Sequence, residues 1–333
     1  MRHAHRSTRG PMMTDGTPLR TLDEDDLLAR ILPLFGGSSD LLVPPGDDAA
    51  VLRTTDQTVA TTDTAVLGRD WLDAWSSGAD IGHKVIASNL ADVAAMGGTP
   101  TGVLVTLVAD PGLSLEWVLD HAHGLGLACA EAGVAVLGGD LSSAPAGVVM
   151  VSVTALGRLE GPVVLRSGAA AGDVLAVCGT LGLAAAGLRL LETGSEDRHP
   201  LAVERQRRPV SPLTAGPLAA RGGATAMLDV SDGLVRDGSR IARASGVVLE
   251  VDLGALEPDI AELRAAVGDA DAMECVLAGG EEHSLLATFA SDDLPLGWRV
   301  IGRAREPAPG ERPGLLVDGR AVAHTGWDHF RGS

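Results

Sequence analysis

Five times in this chain an acidic residue stands at the edge of an apolar or β-branched stretch, usually beside glycine. The segments are Gly46-Asp47-Asp48, Thr61-Thr62-Asp63-Thr64, Gly138-Gly139-Asp140, Asp229-Val230-Ser231-Asp232-Gly233 and Gly279-Gly280-Glu281-Glu282-His283. This recurrence constrains the fold most, because it asks for strands whose ends deliver carboxylates. Each segment has a bland reading of its own. Asp47-Asp48 after Pro44-Pro45 is a turn, and Thr61–Thr64 is a cap or turn. Gly138-Gly139 is an ordinary strand-to-loop turn, and Ser231 or Asp232 caps the helix that follows. His283 alone is more often structural than catalytic. Taken together, the segments repeat one device, and a shared polynuclear Mg²⁺ site bound by hard oxygen donors accounts for all of them.

The local patterns place these motifs. Leu27, Leu28, Ile31 and Leu34 predict an amphipathic helix over 22–35. Strands are predicted at 51–52 and 58–62, a helix over 80–96 ending at Gly97-Gly98, and a buried strand over 102–108. A helix capped by Ser114 follows to 132, then strands at 134–137 and 148–156. Residues 158–172 read as a loop and the domain boundary. Beyond it come a strand at 173–178, a helix from 182, and an exposed, proline-containing connection over 193–212. The remaining elements are helices at 212–221 and 232–244 and strands at 226–230, 247–251, 285–289 and 298–301. Asn89 and Asp92 lie three apart on the helix 80–96 and share a face whose apolar neighbours demand a partner for the aspartate. Residues 1–20 read as a flexible polar tail, 21–157 as one domain and 158–333 as a second.

A length of 333 residues favours two domains, and 45% hydrophobic residues suffice for their cores. With 2% aromatics and no tyrosine, those cores are built of Ala, Val, Leu and Ile. A net charge of −18 disfavours nucleic acid as a partner. It also repels a small polyanion such as ATP unless divalent cations stand between the two. The single lysine, Lys84, excludes a P-loop and the strand lysine of a protein kinase. Cys129, Cys178 and Cys275 form neither a zinc pattern nor a disulfide framework, which fits a reducing, cytoplasmic setting. No stretch has the apolar length of a membrane span or the make-up of a signal peptide.

From about residue 21 onward the chain resembles the thiamine-monophosphate kinase family. The resemblance rests on Pro-Gly-Asp-Asp-Ala-Ala-Val (45–51), Thr-Thr-Asp-Thr (61–64), Asn-Leu-Ala-Asp-Val-Ala-Ala-Met-Gly (89–97) and Gly-Gly-Asp (138–140). It continues in Leu-Arg-Ser-Gly (165–168), Asp-Val-Ser-Asp-Gly (229–233), Gly-Gly-Glu-Glu-His (279–283) and Gly-Trp-Asp-His-Phe (326–330). Several of these motifs are shared with aminoimidazole ribonucleotide synthetase and selenophosphate synthetase. The Asn-Leu-Ala-Asp segment and the ending favour the thiamine enzyme.

The resemblance implies an α/β (α+β), two-domain, aminoimidazole ribonucleotide synthetase-like fold. Its N-terminal domain, 21–157, binds ATP and Mg²⁺ and pairs in a homodimer. Implied Mg²⁺ ligands are Asp48, Thr61, Thr62, Asp63, Asp92, Asp140, Asp229 and Asp232. Implied nucleotide contacts are Gly139, Asp140, Arg166, Ser231 and His123, the last near the adenine. Implied substrate contacts are Asp70, Glu282 and Trp327. The implied reaction passes the γ-phosphoryl group of ATP directly to thiamine monophosphate, with no general base. Two departures stand out. Asp70 replaces a substrate-contacting histidine of the family, and Gly-Gly-Glu-Glu replaces Gly-Gly-Glu-Asp. Asp70 leaves open a relative acting on another small substrate; a binding module without turnover is the remaining alternative.

Overall fold

The computed structural model describes residues 16–44, 50–54, 56–322 and Gly326. The first half opens with α1 (Glu24–Ile31) and a small antiparallel pair, β1 (Leu41–Val43) and β2 (Val51–Leu52). It continues with β3 (Thr58–Val66), α2 (Gly78–Ala95), β4 (Thr99–Ala109), α3 (Leu115–Ala132), β5 (Ala135–Ser143) and β6 (Val149–Arg158). These strands form one sheet in the order β3-β6-β4-β5, antiparallel except for β4 and β5. That parallel pair is joined through α3, the usual way to connect parallel neighbours.

One face of this sheet is covered. Along β6, Val149, Val151, Val153 and Ala155 are buried against α2 and α3, while Met150, Ser152, Thr154 and Leu156 face outward and are half-buried. The period-2 alternation of a one-sided sheet is therefore written directly into β6.

The second half contains β7 (Val174–Cys178), α4 (Leu183–Thr193), α5 (Pro200–Arg207), α6 (Ala215–Arg221), β8 (Ala224–Val230) and α7 (Leu234–Ser245). Then come β9 (Val248–Val251), α8 (Leu253–Val267), α9 (Asp269–Ala278), β10 (Ser284–Phe289), β11 (Trp298–Arg305) and β12 (Gly314–Val317). The sheet order is β12-β9-β11-β7-β10-β8, with only β9 and β12 parallel. Both faces are covered, so β7 and β10 are buried at every position. Leu175, Val177 and Leu286 face a core shared with α4, α7, α8 and α9. Val174, Ala176, Leu285 and Ala287 face a second core, which holds Ala215 and Ala219 of α6 and Ala94 and Ala95 of α2.

Helix α2 thus packs on both sheets. Its start is fixed by a capping box: Ser77 Oγ accepts from Asp80 N at 3.2 Å, and Asp80 Oδ2 accepts from Ser77 N at 2.9 Å. Against α3 it approaches backbone to backbone, because a side chain at Gly78, Gly82 or Gly124 would strike the neighbouring helix's main chain. Against α6 the same holds at Gly216, whose missing Cβ leaves room for the Ala94 carbonyl. Polar ties reinforce the seat. Arg207 Nε donates to Trp75 O at 2.6 Å, Arg208 pairs with Asp80 at 2.6 Å, and Lys84 pairs with Glu281 at 2.7 Å.

Several expectations are revised. The 193–212 connection contains α5, because Pro200 stands at the first helical turn, where proline lacks only an N–H that has no helical partner. The strand predicted to end at 137 runs on to Ser143, so Gly138-Gly139-Asp140 is not a turn. Gly138 adopts φ 141° at a register shift opposite Val103 and Leu104, and Gly139 lies against the Val105 carbonyl. Thr61–Thr64 is likewise mid-strand. The predicted tail is held from residue 16 onward: Thr17 N donates to Glu116 Oε2 at 3.0 Å, and Leu19–Thr21 forms a 3₁₀ turn. Residues 1–15 lie outside the described residues. Helices α8 and α9 and strand β12 were not anticipated.

The seat of α2 gives a direct expectation. Gly216→Val drives a side chain into the Ala94 carbonyl and should lower unfolding free energy by about 1–3 kcal/mol or more, measured by urea denaturation; unchanged stability would contradict this packing.

Candidate active site

The alternation of β3 sends Thr61 and Asp63 to the face that packs on α2, beside Val59 and Ala65, which join the core there. Helix α2 meets them with its Asn89/Asp92 face. Thr61 Oγ1 donates to Asp92 Oδ2 at 2.9 Å, and Asn89 Oδ1 accepts from Asp63 N at 3.1 Å. Asn89 Nδ2 donates to Val85 O at 2.8 Å, which fixes its orientation. Burial pushes the Asp92 carboxyl up to about 6, and the charges of Asp229 and Asp63 push in the same direction. Asp229, a carboxylate from the second half, is therefore a close electrostatic neighbour of Asp92 in the first.

In the second half, Asp229 lies near the end of β8 and is buried, accepting from His283 Nδ1 at 3.1 Å. Burial works against a charged imidazole, but the hydrogen bond and charge of Asp229 outweigh it and hold His283 above its ordinary value. The next turn is organised from below by Asp237 of α7. Its Oδ2 accepts from the backbone N–H groups of Ser231, Asp232 and Gly233 at 3.0, 2.8 and 3.0 Å. Arg240 bridges Asp237 Oδ1 and Asp232 Oδ2. Burial pushes Asp237 up to about 7, against Arg240, which favours the ionised form.

The Gly279–His283 segment docks on this turn. Glu281 N donates to Ser231 O and His283 N to Val230 O, both at 2.9 Å. Glu281 and His283 adopt φ 67° and 53°, a conformation that costs non-glycine residues about 1–3 kcal/mol each. Lys84, reaching from α2, holds Glu281. Glu282 turns inward instead. It accepts from Thr180 Oγ1 and from the N–H of Ala184 in the first turn of α4, both at 2.7 Å.

The other candidates are distributed differently. The Thr62 hydroxyl points to the opposite sheet face and donates to Val153 O at 2.9 Å. Asp140 lies on that same outer face, paired in register with Thr106 and exposed, accepting from Ser142 Oγ at 2.8 Å. Asp140 is therefore not gathered with Asp63, Asp92 and Asp229 in this chain. Period-2 alternation in β3 and the continuation of β5 through the bulge at Gly138 explain the split. Arg166 is exposed on the segment beside β8, where Leu165 O accepts from Met227 N at 3.0 Å. His123 is exposed on α3. The histidine that lines a cavity of about 140 Å³ with Gly139 and Asp140 is its neighbour, the buried His121. Asp70 turns into its own loop, its Oδ2 accepting from Val66 N at 2.8 Å. Asp48 and Trp327 lie outside the described residues.

Sequence reasoning missed Asp237, Arg236, Arg240 and the role of Lys84. Asp237 could have been suspected, since an aspartate in the first turn of a helix after a Ser-Asp-Gly bend is placed to collect that bend's N–H groups.

The fold is the two-domain architecture of the AIR synthase related proteins. Residues 46–159 match the family "AIR synthase related protein, N-terminal domain", and residues 170–308 match the corresponding C-terminal domain. A thiamine-monophosphate kinase from Mycobacterium tuberculosis (strain ATCC 25618 / H37Rv) is 39% identical, with 96% of this chain and 95% of the relative covered. The crystal structure of thiamine-monophosphate kinase from Stenotrophomonas maltophilia K279a superposes with a TM-score of 0.75 at 34% identity, covering 90% of this chain and 96% of that one. The structure of AaThiL complexed with AMPPCP and TMP superposes with a TM-score of 0.74 at 29% identity, covering 95% and 100%. This chain belongs to the thiamine-monophosphate kinase family and is an enzyme of that family.

The donor set fits the Mg²⁺ that the sequence pattern called for. Among the described residues no three His, Cys, Asp or Glu side chains already close on one point. Yet Thr61, Asp63, Asp92 and Asp229 offer only hard oxygen, and Asp92 is driven toward protonation by burial first and by its like-charged neighbours second. A divalent cation relieves that repulsion as a proton would.

Asp237→Ala strips three N–H groups and Arg240 of their acceptor, so it should cost about 3–5 kcal/mol by urea denaturation; a loss below about 1 kcal/mol would refute its organising role.

Proposed function

We propose that this chain transfers the γ-phosphoryl group of ATP to thiamine monophosphate, giving thiamine diphosphate and ADP. The observation that carries this reading is the approach of Asp92, beside Asp63 in one half, to Asp229 from the other. Family membership and the AMPPCP and TMP bound to AaThiL support the choice of substrates.

In this reading Thr61, Thr62, Asp63, Asp92, Asp229 and Asp232, with Asp48, hold Mg²⁺. Bound Mg²⁺ supplies positive charge that neutralises the phosphates and aligns donor with acceptor. Gly139, Asp140, Ser231 and Arg166 contact the nucleotide, with His123 near the adenine. Glu282 and Trp327 shape the thiamine end, and Asp70 acts by shaping its own loop.

The acceptor oxygen needs no general base, because a phosphate monoester has a second pKa of about 6. His283 is committed to Asp229 and is not called on as one. The acceptor oxygen forms its bond to the γ-phosphorus as the bridging bond to ADP breaks, in line, and no side chain is phosphorylated. The chain's part is to align and to exclude water.

The chain divides at about residue 157: 21–157 carries dimerisation and most of the metal and nucleotide contacts, and 158–333 adds Arg166, Asp229, Ser231 and Asp232. A second copy covers the outer face of the first sheet, where Leu104 is 42% exposed beside half-buried Val108, Met150 and Leu156. Asp140 lies on that face, so pairing places the nucleotide near the interface. The enzyme works in the cytoplasm. Among the described residues no helix is long and apolar enough to cross a membrane.

The test is a coupled assay of thiamine diphosphate formation by purified protein. It should require ATP, Mg²⁺ and thiamine monophosphate, reject unphosphorylated thiamine, and fall about 100-fold or more in Asp92→Asn. Absence of product from wild-type protein would overturn the reading; full activity in Asp92→Asn would overturn the site.

A further inference from the structure

Lys84 is the chain's single lysine; every other basic side chain is an arginine or a histidine. Its side chain is only 9% exposed, and a buried ammonium needs acceptors. It has them in two different elements. Nζ donates to Glu281 Oε2 at 2.7 Å. With the Gln206 amide turned so that both its ends are satisfied, Nζ also donates to the Gln206 side-chain oxygen at 3.2 Å, and the Gln206 nitrogen donates to Ala184 O at 2.9 Å.

Ala184 closes a ring. Its N–H, in the first turn of α4, is the one that donates to Glu282 Oε1 at 2.7 Å. Lys84 therefore reaches Glu282 by two routes: through its chain neighbour Glu281, and through Gln206 and Ala184. The segment on which the routes converge is held in an unfavourable form. Glu281 and His283 adopt positive φ, and Gly280 lies against the Ser231 carbonyl with no room for a side chain. Such a backbone persists only where its surroundings over-determine it, and the ring does so from the side of α2. An ammonium on a flexible stem aims separate N–H bonds at two divergent acceptors, which a planar guanidinium does less well. This accounts for a lysine here in a chain that otherwise uses arginine.

We propose that Lys84 is a positioning residue for the acceptor. Through the ring it fixes Glu282, which shapes the thiamine end in the proposed reaction, relative to Asp92 two turns further along α2. This deepens the functional reading above and rests on it. Lys84 acts without touching either substrate: it makes acceptor binding depend on the docking of the second half against α2. Its loss frees the Gly279–His283 segment on one side and leaves Glu282 with Thr180 and an Ala184 that is no longer braced through Gln206 to α2.

The test compares wild type with Lys84→Met, Lys84→Arg, Gln206→Leu, Glu281→Gln and the double variant Lys84→Met/Glu281→Gln. Each is shown to be folded by its thermal midpoint, and kcat and both KM values are measured. Lys84→Met should raise the KM for thiamine monophosphate about tenfold, the loss expected for a charge-assisted hydrogen bond. The KM for ATP should stay within about twofold of wild type, a split that separates positioning of the acceptor from general loosening of the fold. Lys84→Arg should recover only part of the loss, and Gln206→Leu should shift the same KM in the same direction. The double variant should fall short of the product of its single effects, because both act through one contact. An unchanged acceptor KM in Lys84→Met, or both KM values rising together, would overturn the assignment. If Lys84→Met does not fold, Gln206→Leu and Glu281→Gln decide it, and an unchanged acceptor KM in both is the contrary result. Failure of the functional reading shows itself separately, as wild-type protein that forms no thiamine diphosphate.

Discussion

Everything that brings this site together passes through one helix seated between two sheets. Helix α2 lies on the first sheet through its Asn89/Asp92 face and against the second through Ala94 and Ala95. Both contacts are close because glycine replaces bulk where backbones meet, at Gly78, Gly82 and Gly124 toward α3 and at Gly216 toward α6. Since protein interiors are close-packed and stiff, such a seat fixes distance and rotation together. Asp92 is thereby held where the charge of Asp229 reaches it. Lys84, on the same helix, anchors the left-handed segment that carries His283.

The second constraint is charge. A chain of net charge −18 that gathers carboxylates must offset their repulsion. It does so by different means at each one. Asp229 has His283, Asp232 has Arg240 and Arg236, and Asp237 has Arg240 and three backbone N–H groups. Asp92 has the Thr61 hydroxyl, and burial together with the charges of Asp229 and Asp63 pushes it up to about 6. Asp237 spends its oxygens on three N–H groups and Arg240 and so builds the turn, whereas Asp92 faces the like charges of Asp229 and Asp63.

Much of this was legible in the chain, and the exceptions have physical causes. β-Branched runs and glycine punctuation marked β3, β4, β6 and β7, and the capped helix at Ser114 appeared as expected. Helix α5 was hidden by Pro200, which breaks helices in their interior but suits their start. Helices α8 and α9 lie in a stretch where Pro258 and Gly268 disguise the periodicity. The candidate acids were recognisable by type, but the face each one takes was not. In a strand the face alternates with every residue, so a bulge such as that at Gly138 resets it. This is why Asp140 stands on the outer sheet face while Asp63 and Asp92 stand on the inner one. Asp237 and Arg236 were invisible for another reason: their roles depend on a helix turning back over its own entry loop.

Carboxylates from the two halves share one site, and the Asp92 carboxyl reports on it. Its titration should be followed by ¹³C NMR in metal-free wild type and in Asp229→Asn. The wild-type midpoint should be about 6, with a clear downward shift in the variant, because a charge of the same sign has been removed. A midpoint that stays the same in Asp229→Asn would mean that the two halves do not meet there.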